Sequence, residues 1–126
     1  MNVNEFRKIQ KKKPKYNNQK IGGYDSKKEK ERADILKAYQ KMGYISNLQE
    51  QVKYILIPSQ YEDKVVRGKQ KKVCIEKEVS YKADFVYNDN IHSKLIVEDT
   101  KGFRTKDYII KRKLMLHVHG IKIKET

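Results

Sequence analysis

The first clear pattern along the chain is an amphipathic helix in the segment 25–43. Ser26 is a favourable N-cap, Glu29 three residues later completes a capping box, and Gly43 is a natural C-terminal stop. Between these signals apolar side chains recur at helical spacing, at Ile35, Leu36, Tyr39 and Met42. The sequence therefore predicts a helix that buries this apolar face.

A first strand is predicted after this helix. Residues 52–58 are rich in β-branched and aromatic side chains, and Pro58 ends the run. The next residues, 59–72, are polar and basic, with a turn signal at residues 67–69. This stretch matches no recognisable motif.

Two further strands are predicted on either side of a short turn at residues 88–90. Residues 73–87 are of β type, and their alternation predicts one shared face, made of Tyr81, Ala83, Phe85 and Tyr87. The following apolar run, residues 95–97, is unbroken, which favours a central strand buried on both sides.

A second helix and a last strand complete the pattern. Thr105 can cap a helix over residues 106–119, with Ile110, Leu114 and Val118 on one side, and Gly120 can end it. Residues 121–124 predict a short strand. The order is helix, three strands, helix, strand, and 126 residues fit one domain, so we expect a single α/β domain.

Charge adds the first indication of function. The chain has 30 Lys and Arg against 16 Asp and Glu, a net charge of +14. Such an excess favours a polyanionic partner, with nucleic acid ahead of an anionic membrane, since no long basic amphipathic helix is evident. Residues 1–23 form a basic arm that we expect to be flexible or wrapped on the partner, and residues 24–126 form the domain.

Cysteine content and hydropathy indicate the compartment. Cys74 is the single cysteine, so it cannot form an internal disulfide, and we expect it to be a small buried apolar residue. The chain contains no apolar run of membrane-spanning length and no signal-peptide pattern. These features predict a soluble cytoplasmic protein without membrane contact.

Candidate chemistry is concentrated at the end of the second and third predicted strands. Asp84 lies within one strand, and Asp99 and Lys101 follow the buried run of the next. The short turn predicts a hairpin, which would bring the carboxylates together. Asp99 and Lys101 are two residues apart and so face the same side, whereas Glu98 points the other way. Alone, this spacing also describes a surface salt bridge at a strand end.

Two carboxylates and a lysine at one point suit phosphodiester hydrolysis. The acids can hold a hard cation such as Mg²⁺ or Mn²⁺, which polarises a phosphate and activates water. A lysine beside them can orient that water or stabilise charge in the transition state. Asp84, Asp99 and Lys101 are therefore predicted catalytic residues.

The combined motifs resemble the PD-(D/E)xK nuclease superfamily. The stretches KYNNQK, YDSKKEKER, YKADFVY, IVEDTKG and YIIKRKLML are similar, more narrowly, to a family of small phage and prophage proteins related to Holliday junction resolvases. The resemblance covers residues 15–124. Ala83 stands where the superfamily often has proline before the first aspartate. The resemblance implies a restriction-endonuclease-like core and a metal site that includes the Thr100 carbonyl.

The same resemblance implies a substrate and an assembly. Branched DNA, such as a four-way junction, is the expected substrate, and two symmetric cuts across a junction call for a homodimer. If the chain is phage-encoded, it acts in the host bacterial cytoplasm.

A third acid on the first helix is left open between two residues. The related family's S-K-x-E motif falls on Ser26, Lys27 and Glu29, which favours Glu29 as a metal ligand. Helical geometry instead places Glu31 nearer the middle of the predicted apolar face, and Glu29 already serves the capping box.

Basic residues are predicted to hold the DNA backbone, although a solvated surface is the alternative for each group. These are Lys11, Lys12, Lys13, Lys15, Lys27, Arg67, Lys69, Lys111, Arg112 and Lys113. His117 and His119 are expected to diverge at a helix end rather than bind zinc. The alternative function is a non-catalytic DNA- or RNA-binding protein that keeps a nuclease fold.

Overall fold

The computed structural model describes residues 23, 24 and 26–126, so the predicted basic arm lies outside the described residues except for Gly23. The elements are α1 (Lys27–Lys41), β1 (Ile45–Ile57), β2 (Gln60–Val66), β3 (Lys69–Glu76), β4 (Val79–Asp89), β5 (Lys94–Asp99), α2 (Lys106–His119) and β6 (Lys124–Glu125). None of the described helices is long and apolar enough to cross a membrane.

Four strands form one sheet in the order β1, β4, β5, β6. β4 is antiparallel to β1 and β5, whereas β5 and β6 run parallel. One helix packs on each face: α1 contributes Ala33 and Leu36 to one core cluster, and α2 contributes Tyr108 and Met115 to the other. The prediction of a single mixed α/β domain with a helix, several strands and a second helix is confirmed.

Helix α1 starts as predicted but buries a different face. The Ser26 hydroxyl accepts a hydrogen bond from the Glu29 amide at 3.1 Å. The buried side chains are Glu29, Ala33 and Leu36. The prediction that Ile35, Tyr39 and Met42 are buried is wrong, because the small Ala33 lets the helix approach the sheet along the 29–33–36 stripe.

Strand β4 changes phase in its middle, so the predicted common face is wrong. Tyr81 and Ala83 pack in the α2 cluster, whereas Phe85 and Tyr87 pack in the α1 cluster. Opposite Asp84, between two regular pairs of the β1–β4 ladder, Gln51 has a left-handed φ of 55°. This irregularity in β1 accompanies the change of phase beside the candidate site.

The polar and basic stretch 59–72, with its turn signal at residues 67–69, lies largely in two strands that form a sheet of their own. β2 and β3 pair as a separate antiparallel sheet, and residues 77 and 78 separate β3 from β4. The prediction of a buried Cys74 is wrong, because this sheet has no core and leaves the thiol exposed. β1 also begins earlier than predicted, at Ile45.

Helix α2 begins and ends where the sequence indicated. Thr105 accepts a hydrogen bond from the Tyr108 amide, and Gly120 ends the helix with a left-handed φ of 66°. The predicted face is wrong for Ile110 and Val118, which are exposed, and only Leu114 of the three packs against the core. Tyr108 and Met115 are the buried side chains, on the stripe that faces the sheet.

Candidate active site

The pairing of β4 with β5 brings two aspartates together. Phe85 is paired with Glu98, so Asp84 lies beside the end of β5, where Asp99 is 1% exposed. The Thr100 amide donates a 2.9 Å hydrogen bond to Asp84 Oδ2 and fixes that carboxylate against the strand end. The predicted hairpin between these strands is confirmed.

The electrostatics of Asp84 follow from this crowding. Burial first, and then contact with the Asp99 carboxylate and its charge, together raise the pKa of Asp84 to about 8. The charge of Glu29 also raises the pKa, whereas the Thr100 amide lowers it. Two carboxylates in this position favour a proton or a cation between them.

One oxygen of the Asp99 carboxylate is contacted by a hydroxyl and by an ammonium group. The Tyr81 hydroxyl donates to Asp99 Oδ2 at 2.6 Å, and Lys101 Nζ lies 3.4 Å from the same oxygen. Asp99 Oδ1 is buried without a hydrogen-bond partner in the part of the chain that the structure describes. Buried polar atoms are rarely left in this state, so the oxygen indicates a place for a ligand.

Lys101 is positioned by its surroundings. Its ammonium lies 4.3 Å from the centre of the Tyr108 ring, a cation–π distance, and its side chain is 27% exposed. Lys28 on α1 donates to the Lys101 carbonyl at 3.3 Å, which ties the loop after β5 to the first helix. The ammonium therefore borders both the acids and solvent.

The two glutamates of α1 lie in different surroundings. Glu29 is 4% exposed, and Gln51 Nε2 donates to its Oε1 at 2.9 Å. Glu31 is exposed and lies 3.9 Å from Lys27 in an ion pair along the helix. Glu29 is thus the helix acid that acts on Asp84, through its charge.

The oxygen atoms of the site suit a hard cation that takes only some of its ligands from the protein. Among residues 23, 24 and 26–126, no three His, Cys, Asp or Glu side chains form a ready metal cage. Mg²⁺ is commonly held by one or two carboxylates with waters in the remaining positions. The Asp84–Asp99 pair fits that pattern, since Asp99 Oδ1 has no hydrogen-bond partner within residues 23, 24 and 26–126, and the charge of Glu29 acts on Asp84.

Glu98 faces the other side of the sheet, where it has a full set of partners. Arg32 donates from Nε and Nη2 to its two oxygens at 2.8 and 2.9 Å, and the Tyr87 hydroxyl donates at 2.8 Å. Glu98 is 0% exposed, and its hydrogen bonds raise the pKa of Arg32. This network locks α1 to β5.

The sequence analysis missed six residues that support the site and the neighbouring Glu98: Lys28, Arg32, Gln51, Tyr81, Tyr87 and Tyr108. For Arg32 a signal was available in the sequence: its i, i+3 spacing from Glu29 places both side chains on the same side of the helix. Gln51 could be found only from the register that sets it opposite Asp84.

The predicted DNA-contacting residues are spread over several surfaces. Lys27 is exposed beside Glu31, and Arg67 and Lys69 lie at the exposed end of the β2–β3 sheet. On α2, Lys113 is exposed, Lys111 is half-buried, and Arg112 lies 3.1 Å from Glu125, which Arg104 also contacts. The remaining predicted contacts, Lys11, Lys12, Lys13 and Lys15, lie outside the described residues.

The two histidines at the end of α2 have different surroundings. His119 Nε2 lies 2.7 Å from the Ile55 carbonyl, to which it donates, and its ring packs against Tyr54. His117 is exposed.

Comparison with known proteins identifies a family for nearly the whole chain. No curated protein matches the sequence, and no solved structure matches it. One family model, described as a protein of unknown function, matches residues 7–125. The chain therefore belongs to the DUF1064 family.

Proposed function

We propose that this protein is a metal-dependent DNA endonuclease that hydrolyses phosphodiester bonds. The observation that carries the proposal is the pair of the half-buried Asp84 and the buried Asp99. Asp99 Oδ1 has no hydrogen-bond partner among the described residues, and Lys101 Nζ lies 3.4 Å from Asp99 Oδ2. A net charge of +14 supplies the attraction to a polyanion that such a site needs.

A restriction-endonuclease-like core is part of the proposal. The order of elements supports it: a helix carrying the buried Glu29, an antiparallel strand pair carrying Asp84 and Asp99, and then a second helix and a strand parallel to β5. The β2–β3 sheet is an addition to that core. This interpretation joins the resemblance in the motifs to the position of the acids at one end of β5.

Each residue has a role in the proposed reaction. Asp84 and Asp99, with the Thr100 carbonyl, would hold Mg²⁺ or Mn²⁺, and Glu29 would be the third acid of the site. The bound cation supplies charge to polarise the phosphate and to lower the pKa of a water. The Lys101 ammonium orients the attacking water and offsets negative charge that develops on the phosphate.

The surrounding residues keep these groups in position. Tyr81 holds Asp99 through Oδ2, which leaves Oδ1 directed to the ligand. Lys28 and the Tyr108 ring fix the loop and the ammonium of Lys101. Gln51 orients Glu29 from the irregular point of β1.

Branched DNA is the proposed substrate, and a homodimer the proposed assembly. The related junction-resolving proteins motivate both, because two symmetric cuts need two active sites. We place this activity in the cytoplasm. The ratio of cleavage of a four-way junction to that of a linear duplex tests the preference, and a ratio near unity would remove it while leaving the nuclease.

The decisive experiment is cleavage of a labelled four-way junction with Mg²⁺, Mn²⁺ or EDTA. We expect cutting only with metal, and a loss of roughly a thousandfold or more in Asp99→Asn and in Lys101→Ala. On α1, Glu29→Gln should slow cutting while the matched Glu31→Gln should not. Full activity in Asp99→Asn would exclude this site as the catalytic centre.

A second candidate function is nucleic-acid binding without catalysis. It is favoured by the high positive charge of the chain. Salt-sensitive binding of junctions with no cutting under any metal would support it. Competition between DNA and RNA of equal length would then identify the substrate.

A further inference from the structure

The β2–β3 hairpin, residues 60–76, stands apart from the domain core. It forms its own two-stranded sheet, and every residue in it is exposed except the half-buried Val73. Two-stranded hairpins are at best marginally stable in water when nothing packs against them. A partner on this hairpin would supply the stabilisation that the core does not.

The turn of the hairpin contains a costly choice of residue. Val66 pairs with Lys69, so Arg67 and Gly68 form a two-residue turn, with φ of 52° and 77°. Such turns favour Asn or Asp before Gly, because other residues pay about 1 kcal/mol for a left-handed φ. Arginine is therefore an unfavourable residue for the conformation of this turn, and we interpret its presence at the tip as a contact to a ligand.

The hairpin also places like charges against each other. Lys64 lies directly opposite Lys71 across the ladder, and Lys69 is on the same face, two residues from Lys71. Opposed like charges destabilise a strand pair. The Glu62 carboxylate is 3.4 Å from Lys64, but both groups are about half exposed, so this pair offsets little of the repulsion.

We propose that the β2–β3 hairpin inserts as a two-stranded ribbon into the major groove of duplex DNA, with Arg67 leading. The inference rests on the proposed function for its choice of DNA as the polyanion. The major groove, about 12 Å wide, admits a two-stranded ribbon. A second copy of this hairpin is a poorer occupant, because the same excess of cations would face itself across the contact. The hairpin itself has more cations than acids: Lys64, Arg67, Lys69, Lys71 and Lys72 against Glu62, Asp63 and Glu76.

The position of the hairpin determines which part of the DNA it contacts. Asp84 is five positions along β4 from Val79, the first residue of the strand after the hairpin, so the base of the hairpin is roughly 17 Å from Asp84. At the rise of B-DNA this corresponds to about 5 base pairs. The hairpin therefore binds duplex that flanks the scissile phosphate, and it contributes to affinity rather than to the chemical step.

The test is binding in EDTA, where no cutting occurs, to a labelled duplex of two helical turns. Lys64→Gln/Lys71→Gln removes the opposed charges without weakening the hairpin, and we expect affinity to fall by about tenfold or more. The dependence of log K on log salt should also lose a slope of about two. Arg67→Asn, which improves the turn, should weaken binding by roughly threefold or more.

The matched control is Lys41→Gln/Lys94→Gln, which removes the same charge from exposed sites at the other end of the sheet. It should weaken binding by less than about threefold. A single strand of equal length should show a smaller loss for Lys64→Gln/Lys71→Gln than the duplex does. Equal losses on both substrates would exclude groove insertion.

Two outcomes separate this inference from the proposed function. If Lys64→Gln/Lys71→Gln binds duplex as tightly as the unaltered chain, the ribbon is wrong even if junctions are cut. The same holds if sedimentation shows that the substitution only dissociates a dimer. If the expected loss is seen and the unaltered chain never cuts, the ribbon stands and the nuclease does not.

Discussion

Glu98 and Asp99 are neighbours on β5, are both buried, and have opposite surroundings. Glu98 has three donors from Arg32 and Tyr87 for its two oxygens. Asp99 has Tyr81 and Lys101 on Oδ2, whereas its Oδ1 has no hydrogen-bond partner in the described part of the chain. Beside Asp99 lies a second carboxylate, Asp84, rather than an arginine. The contrast shows how one strand can use a buried acid to fix the fold on one face and to offer a ligand site on the other.

The largest expected effect on stability is on the Glu98 face. Arg32→Met leaves the Glu98 charge buried with only the Tyr87 hydroxyl, because the bidentate guanidinium is lost. Removing one partner of a buried ion pair costs about 3–5 kcal/mol. We expect the free energy of unfolding, measured by urea denaturation, to fall by that amount.

Lys30→Met is the matched control for this substitution. Lys30 lies on the same helix and pairs with Asp34 at 3.0 Å, but that pair is solvent-exposed and should contribute less than about 1 kcal/mol. Adding Glu98→Gln to Arg32→Met should restore part of the stability, since the buried charge is gone. Equal losses for Arg32→Met and Lys30→Met would show that Glu98 is not a structural anchor.

The second prediction concerns pH on the Asp99 face, with EDTA present. The pKa of Asp84 is raised from 3.8 to about 8 by burial and by Asp99, so between these values the folded chain holds a proton that the unfolded chain releases. Stability from this group therefore falls as pH rises through that window. Asp84→Asn removes the effect and should stabilise the chain by on the order of 1–3 kcal/mol more at about pH 9 than at about pH 5.

Urea denaturation of both chains at the two pH values measures this difference. Asp63→Asn, at an exposed aspartate of the β2–β3 hairpin, is the control and should change stability by less than about 0.5 kcal/mol at either pH. If Asp84→Asn raises the free energy of unfolding by the same amount at both pH values, burial and the Asp99 charge do not raise the pKa of Asp84.

Local signals in the sequence were sufficient for much of the fold. The caps at Ser26 and Thr105 and the stop at Gly120 are formed by single residues acting on adjacent backbone, so they could be predicted. The pairing of β4 with β5 followed from a short turn. The buried faces of both helices could not be derived in this way, because Ile35 and Ile110 differ from Leu36 and Met115 only in where the sheet lies.

The acids of the candidate site could be predicted from the sequence, but the residues that hold these acids in position could not. Asp84 and Asp99 interrupt apolar strands, which makes them visible in a sequence. Arg32, the partner of Glu98, is 66 residues away from it in the sequence. Gln51, which donates to Glu29, itself has the left-handed φ in β1, and nothing in the composition predicts that conformation. Long-range pairing and backbone irregularity are properties of the assembled sheet.

The smallest expected effect separates the two faces most directly, because β4 supplies one tyrosine to each acid. Tyr81 donates to Asp99 at 2.6 Å, and Tyr87 donates to Glu98 at 2.8 Å. Tyr81→Phe and Tyr87→Phe each remove one hydroxyl donor from a buried carboxylate. Lys101 remains beside Asp99, and Arg32 remains beside Glu98, so each substitution should lower the free energy of unfolding by about 1 kcal/mol. Only Tyr81→Phe should also slow junction cleavage, by roughly tenfold, because Asp99 alone belongs to the proposed site. Equal cleavage rates for the two variants would mean that the hydroxyl of Tyr81, like that of Tyr87, serves the fold only.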